Sequence, residues 1–162
     1  MEQLEQDFLE LLKKCEGTIF KVCLMFTDRQ PDNVKDMYQD IVCDLWKGFP
    51  YFRKESSMNT WVYRIALNTA GMIRRKNRIK PSFISLDETV YNKMMVDESA
   101  TALIDCLYEL VDKLGKSEKS ILLMYLDEIP QSEIAVEMGV SEAAINQMIY
   151  RIKKKLVKLN NN

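Results

Sequence analysis

The stretch IPQSEIAVEMGVSEAAINQMIYRIKKKL, Ile129 to Leu156, reads as two short amphipathic helices joined by a tight turn at Gly139. Ile134, Ala135 and Met138 give the first helix an inner face, and Gly139 supplies the residue that turns most freely. Ser141 can cap the second helix, with Val140 and Ile145 bracketing the cap as an apolar pair. Ile145, Ile149, Ile152, Leu156 and Leu159 then recur at steps of three and four and form the inward stripe. Ala143, Asn146, Gln147, Tyr150, Arg151 and Lys154 are left facing out. In a helix-turn-helix the early part of the second helix meets base edges and its later basic residues hold phosphates. Asn146 and Gln147 suit the first task, because an amide side chain can pair bidentately with adenine. Arg151, Lys153, Lys154, Lys155 and Lys158 suit the second, supplying salt-dependent affinity. With Ser141 at its start and Lys155 near its end, this helix is the first candidate nucleic-acid surface.

Working outward, the preceding residues also read as helix. Leu103, Leu107, Leu110, Val111 and Leu114 form an apolar series that Gly115 can close, and Ser117 can cap a further helix through Ile121, Leu122, Met124 and Tyr125. At the other end of the chain, Phe8, Leu11, Leu12, Cys15, Ile19, Val22, Cys23 and Phe26 make one helical stripe. After the breaker TDRQPDN, Asp32 can cap a second helix that buries Val34, Met37, Tyr38, Ile41, Val42, Leu45 and Trp46, with Asp36, Asp40 and Asp44 on its outer face. The aromatic loop GFPYFRKESSMN leads into a third helix from about Thr60, with Val62, Ile65, Ala66, Thr69 and Ile73 inward and RRKNRIK at its end. The stretch 81–99 lacks sustained periodicity and reads as an acidic linker. The expected fold is all-α: two small helical domains, 1–80 and 100–162, joined by a flexible linker.

Composition narrows the function classes. The 162-residue chain has a net charge of -1, no histidine, and four cysteines, Cys15, Cys23, Cys43 and Cys106, with no CxxC pair. A zinc site and histidine-based catalysis are thereby disfavoured, no cofactor is called for, and a non-enzymatic role is expected. The cysteines read as small hydrophobes in helix cores. The N-terminus has neither a basic start nor a continuous apolar run, so a cytosolic setting is expected. The near-neutral charge hides segregation: eight basic residues against Glu55 alone between Arg53 and Lys80, and five with no acid between Arg151 and Lys158. Two basic patches can each face a polyanion while acidic faces meet something basic. In the first patch, aromatics beside cations can stack unpaired bases, although periodicity assigns at least two of Tyr51, Phe52, Trp61 and Tyr63 to packing.

Three groups of residues carry a family resemblance. Asp36, Met37, Tyr38, Gln39 and Asp40 precede IVCDLW. Phe52, Arg53, Glu55, Ser56, Thr60, Trp61, Tyr63, Arg64, Ile65, Ala66 and Asn68 precede RRK. LGKSEKSILLMY precedes Glu133 to Ala135, then Gly139, Val140, Ser141 and Ile145. In these motifs the chain resembles the sigma-70 superfamily and, within it, the small two-domain extracytoplasmic-function (ECF) sigma factors. The resemblance implies a bacterial, cytoplasmic promoter-specificity subunit that does no covalent chemistry. Its first domain would be region 2-like, binding core RNA polymerase and opening the minus-ten element. The second would be region 4-like, reading the minus-thirty-five element.

Carried over residue by residue, Asp36, Gln39, Asp40 and Asp44 would dock on the coiled coil of the polymerase's largest subunit. Ser56, Ser57, Asn59 and Trp61 would form a pocket for a flipped minus-ten base, with Arg64, Asn68, Arg74, Arg75 and Lys76 holding the opened strand. Ser141, Ala143, Asn146, Gln147, Tyr150, Arg151, Lys154 and Lys155 would read the upstream element, beside the polymerase flap. Many relatives are held by an anti-sigma factor, which the resemblance adds as a candidate partner. The chain departs from its relatives at Asn146 and Met148 in the reading helix and at Gly71 and Met72 in the third helix. Two rival readings are a stand-alone helix-turn-helix regulator and a sigma-like polymerase adaptor without promoter recognition. Neither needs the strand-opening block from Phe52 to the RRK cluster.

Overall fold

The computed structural model describes residues 1–73, with side chains to 71, and residues 106–161. It divides into two compact units, Met1–Asp87 and Glu88–Asn162, and all elements among the described residues are helical. The expected linker lies outside the described residues, as do Arg74, Arg75, Lys76 and Leu103.

The first unit contains α1 (Glu2–Phe26), α2 (Pro31–Gly48), a 3-10 turn (Phe49–Tyr51) and α3 (Met58–Ile73), with α1, α2 and α3 each packed on the other two. The expected stripe of α1 is buried throughout, and Phe20, Leu24 and Met25 are buried beside it near the C-terminal end. Each fully buried side chain of this size contributes about 1.5–3 kcal/mol relative to exposure. The turn to α2 satisfies its own polar groups. Thr27 Oγ1 donates to the Cys23 carbonyl at 2.6 Å and accepts from the Arg29 N–H at 3.1 Å. Asp28 accepts from the Gln30 N–H at 3.0 Å and from Asn33 Nδ2 at 2.9 Å. Asp32 is therefore not the cap expected of it. The N-cap is Gln30, and Pro31 opens the helix at a position where its missing N–H would have been unpaired anyway. Asp32 falls inside the first turn, where its charge still complements the helix dipole.

At the other end of α2, a Cβ on Gly48 would lie 3.2 Å from Ile65 Cδ1 and 3.3 Å from Trp61 Cζ2, so glycine lets α2 finish tightly against α3. Helix α3 starts two residues earlier than expected because Ser57 caps it. Its Oγ accepts from the Thr60 N–H at 3.2 Å, and its carbonyl accepts from the Trp61 N–H at 3.1 Å.

The second unit has a helical run over 106–111, then α4 (Lys116–Leu126), α5 (Gln131–Met138) and α6 (Glu142–Asn160). Its core is Val111, Leu114, Ile121 to Met124, Ile129, Ile134, Ala135, Ile145, Ile149 and Ile152, whereas Leu107 is half exposed. Gly115 and Ser117 depart from expectation. Gly115 has an extended backbone (φ -68°, ψ 166°) and begins α4 as its N-cap, while Ser117 lies within the helix. The cap is made by Glu118, whose Oε2 accepts the Gly115 N–H at 2.8 Å. That reach back from the third helical residue satisfies the N–H of the N-cap residue itself, the Glu half of a capping box.

The turn between α5 and α6 follows the sequence closely. Gly139 is left-handed at φ 68°, its N–H reaches the Val136 carbonyl at 3.2 Å, and the Val140 N–H reaches the Ala135 carbonyl at 3.1 Å. This is the Schellman pairing, and its second bond returns the chain toward the start of α6. Gly139→Ala leaves open space around the new methyl but forces a Cβ into a left-handed backbone. The expected cost is about 1–2 kcal/mol, read as a lower urea midpoint at unchanged slope.

Three of the cysteines, Cys15, Cys23 and Cys43, are buried as expected, while Cys106 is exposed. Among the described residues no cluster of ligating side chains could hold a metal, and no helix is long and apolar enough to cross a membrane.

Candidate nucleic-acid interface

Helix α6 is built as the sequence suggests. Ser141 Oγ accepts the Ala144 N–H at 3.1 Å, fixing the first turn. Ile145, Ile149 and Ile152 are buried against α4 and α5, and the other face is open. Ser141, Ala143, Asn146, Gln147, Tyr150, Arg151, Lys154 and Lys155 are all exposed, whereas Met148 is half-buried. Asn146, Gln147, Tyr150, Arg151 and Lys154 follow one another at helical spacing, so they share one strip of surface.

The basic residues of α6 divide into two sets that sequence alone does not separate. Lys153 Nζ donates to Tyr125 Oη at 2.7 Å, and Lys155 Nζ meets Glu118 Oε2 at 3.0 Å. Tyr125 and Glu118 both belong to α4, so these two lysines brace α6 to its neighbour from either edge of the exposed strip. The Glu118 carboxyl is held below the ordinary glutamate range, first by the Gly115 N–H and then by Lys155. Lys154 instead lies along the strip, with its ammonium 5.4 Å from the Tyr150 ring centroid. Arg151 and Lys158 make no ion pair among the described residues. Arg151, Lys154 and Lys158 are thus exposed without an acidic partner among the described residues, while Lys155, expected among the reading residues, is paired with Glu118.

In the first unit, Arg64 and Asn68 are exposed one turn apart on α3. Ser57 is occupied as the α3 cap, with its Oγ also 2.8 Å from Thr60 Oγ1, and Ser56 is half-buried beside it. Asn59 is half-buried, and its Oδ1 accepts from Thr18 Oγ1 of α1 at 3.0 Å. Trp61 differs from the expected pocket residue. It is only 8% exposed, with its ring 4.9 Å from Phe52 and 6.5 Å from Phe49, and the close approach of Gly48 seals its edge. Trp61 and Tyr63 are the packing aromatics, Phe52 is half-buried, and Tyr51 stands 80% exposed.

The acidic face of α2 also needs correction. Asp36 is exposed and Gln39 half-buried, but Asp40 is 6% exposed and lies inside the unit. Its carboxylate is close enough to Cys23 of α1 to add to the effect of burial, and both hold that thiol protonated well above its usual range. Asp44 turns toward α3, where Thr69 Oγ1 donates to its Oδ2 at 2.8 Å, and Lys47 meets its other oxygen at 3.4 Å. The reason is α2's position. Packed on both α1 and α3, it buries more of its circumference than one apolar stripe, so Asp36 is exposed, Asp40 is buried and Asp44 is half-buried.

Comparison with known proteins agrees with this arrangement. The family description "Sigma-70 region 2" matches residues 11–79, and "Sigma-70, region 4" matches residues 104–156. The chain is similar to RNA polymerase sigma factor YlaC of Bacillus subtilis, 29% identical over 133 residues that cover 78% of this chain and 77% of that protein. It is also similar to the ECF RNA polymerase sigma-E factor of Haemophilus influenzae, 24% identical over 139 residues, 76% of this chain and 72% of that one. Among solved structures, that of CnrH in complex with the cytosolic domain of CnrY shares its fold at a TM-score of 0.71 and 19% identity, covering 97% of this chain and 89% of that one.

Proposed function

We propose a residue-level mechanism for a chain that belongs to the sigma-70 family, in its extracytoplasmic-function branch, and is an alternative sigma factor directing promoter-specific transcription initiation. It acts by binding core RNA polymerase and promoter DNA, a role that requires no chemistry of its own. The bacterial cytoplasm is the corresponding setting. By analogy with the CnrH complex, a partner protein that masks the chain is part of the proposal.

In the first unit the exposed edge of α2, Asp36 with Gln39, docks on the coiled coil of the polymerase's largest subunit. Asp44 and Asp40 support that edge from behind. Arg64 and Asn68 of α3 hold the opened minus-ten strand, continued by Arg74, Arg75 and Lys76, and the loop from Ser56 to Asn59 receives a flipped base. Flipping costs a few kcal/mol, so contacts to the base and to phosphates have to act together. In the second unit Asn146 and Gln147 read base edges of the minus-thirty-five element, while Arg151, Lys154 and Lys158 hold phosphates, beside the polymerase flap. The observation that carries this reading is the open strip on α6. Its amide and basic side chains face out on a helix capped by Ser141 and braced by Lys153 and Lys155.

Reconstitution with core RNA polymerase on a pool of promoter sequences tests the proposal directly. Transcripts starting at defined sites, above those of core enzyme alone, are expected. Polymerase binding without such starts would instead identify an adaptor. On a promoter so obtained, Asn146→Ala and Gln147→Ala are expected to cost about 1–3 kcal/mol in a base-dependent way. Lys154→Ala weakens all sequences alike and reduces the salt slope of binding by about one. Equal losses from all three variants on every sequence would remove Asn146 and Gln147 as base readers.

A further inference from the structure

We propose that Thr18 is a positioning residue for the minus-ten loop: its hydroxyl holds the Asn59 amide as a donor-only group, so the loop takes a carbonyl-bearing base and disfavours adenine. This rests on the promoter-opening reading above and adds the class of base to it. Thr18 lies in the middle of α1, 9% exposed, and its Oγ1 donates to Asn59 Oδ1 at 3.0 Å across 41 residues of sequence. Neither side chain makes another hydrogen bond among the described residues. The single hydroxyl proton of Thr18 is therefore committed to Asn59, and the carbonyl end of the amide points into the protein.

The other end of that amide is open. No buried side-chain nitrogen or oxygen among the described residues lacks a partner, and Asn59 is half-buried, so its unpartnered Nδ2 reaches solvent. The residue is also held from behind. It sits in the first turn of α3, between the Ser57 cap and the packed Trp61 ring, so its backbone is fixed and the Thr18 bond sets the sense of the amide. An unconstrained asparagine can present its carbonyl oxygen, which has two lone pairs, beside its N–H donors, and then pairs bidentately with adenine, accepting from N6 and donating to N7. With Oδ1 turned toward the buried Thr18 hydroxyl, it is the N–H end of the amide that a base meets. On adenine's pairing edges, N1 and N7 each adjoin the N6 amino group, so a donor-only amide meets a donor there. Cytosine, guanine and thymine offer a carbonyl oxygen instead.

The test uses the full chain with core RNA polymerase and a promoter found by reconstitution, remade with each of the four bases at each unpaired position of the minus-ten element. The wild type is expected to disfavour adenine by about tenfold at one of these positions, the discrimination a single base-edge contact provides. Thr18→Val keeps the shape but removes the hydroxyl, and is expected to level that preference with polymerase affinity unchanged. Thr18→Ser is expected to restore it. Asn59→Ala should level the preference as well, and the double variant should add nothing further. An unchanged preference in Thr18→Val, or a wild type indifferent to adenine at every unpaired position, overturns the assignment while leaving promoter opening intact. If the wild type starts at no promoter, the promoter-opening reading falls and takes this one with it. A melting measurement on Thr18→Val separates the two ways the variant can act. Lost stability with a retained preference means the hydroxyl is structural only.

Discussion

Asp40→Arg is expected to lower the stability of the first unit by about 3–5 kcal/mol, the range for placing an uncompensated charge where a buried, partnered one stood. Asp40 is only 6% exposed and lies close to Cys23, so an arginine has neither room nor a matching partner. Urea unfolding followed by helical circular dichroism measures the loss. Asp36→Arg provides the contrast. Asp36 is exposed, so its reversal is expected to leave stability within about 0.5 kcal/mol of the wild type while weakening association with core polymerase. If Asp40→Arg unfolds with the wild type and only polymerase affinity falls, Asp40 belongs to the docking edge after all.

Trp61→Ala is the second large effect, at about 3–5 kcal/mol for an aromatic removed from a packed core. The indole fills the space between Phe52, Phe49 and the end of α2 at Gly48, and that junction sets where the loop from Phe52 to Ser57 leaves the helices. The variant should therefore open promoters poorly at temperatures where the unit is partly unfolded and recover much of that activity where it is folded. Transcription and melting curves recorded over the same temperatures make the comparison. Wild-type stability combined with absent promoter opening would mean that the ring touches DNA itself.

Both predictions arise where the sequence misleads. Apolar residues at steps of three and four placed α1 and α6 correctly, because one stripe covers the buried side of α6 and that of α1 up to its C-terminal turns, where Phe20, Leu24 and Met25 are buried as well. The turn at Gly139 and the cap at Ser141 were equally legible, since a left-handed glycine and a helix-capping serine act within a few residues of themselves. Helix α2 departs from its pattern because its buried side also takes in carboxylates, Asp40 fully and Asp44 in part, and a run of apolar residues does not mark a buried acid. Asp40 and Asp44 thus looked external. Asp32 and Ser117 were chemically able to cap, but each helix begins two residues earlier, at the N-caps Gln30 and Gly115, so both fall inside the first turn. Lys153, Lys155 and Thr18 find partners 28, 37 and 41 residues away, and no local pattern carries that information.

The two sets of residues on α6 do not overlap. Ile145, Ile149, Ile152, Lys153 and Lys155 hold the helix in place, and Ala143, Asn146, Gln147, Tyr150 and Lys154 face outward. Substitutions at the outward positions leave the scaffold's contacts untouched, so, with Asn146 and Gln147 reading bases as proposed, promoter preference can diverge between duplicated copies of such a gene without a compensating change in the core. The same separation makes this helix a practical starting point for retargeting. A library confined to residues 143, 146, 147 and 150 tests the proposed base readers for new preferences on a frame whose core contacts it does not alter.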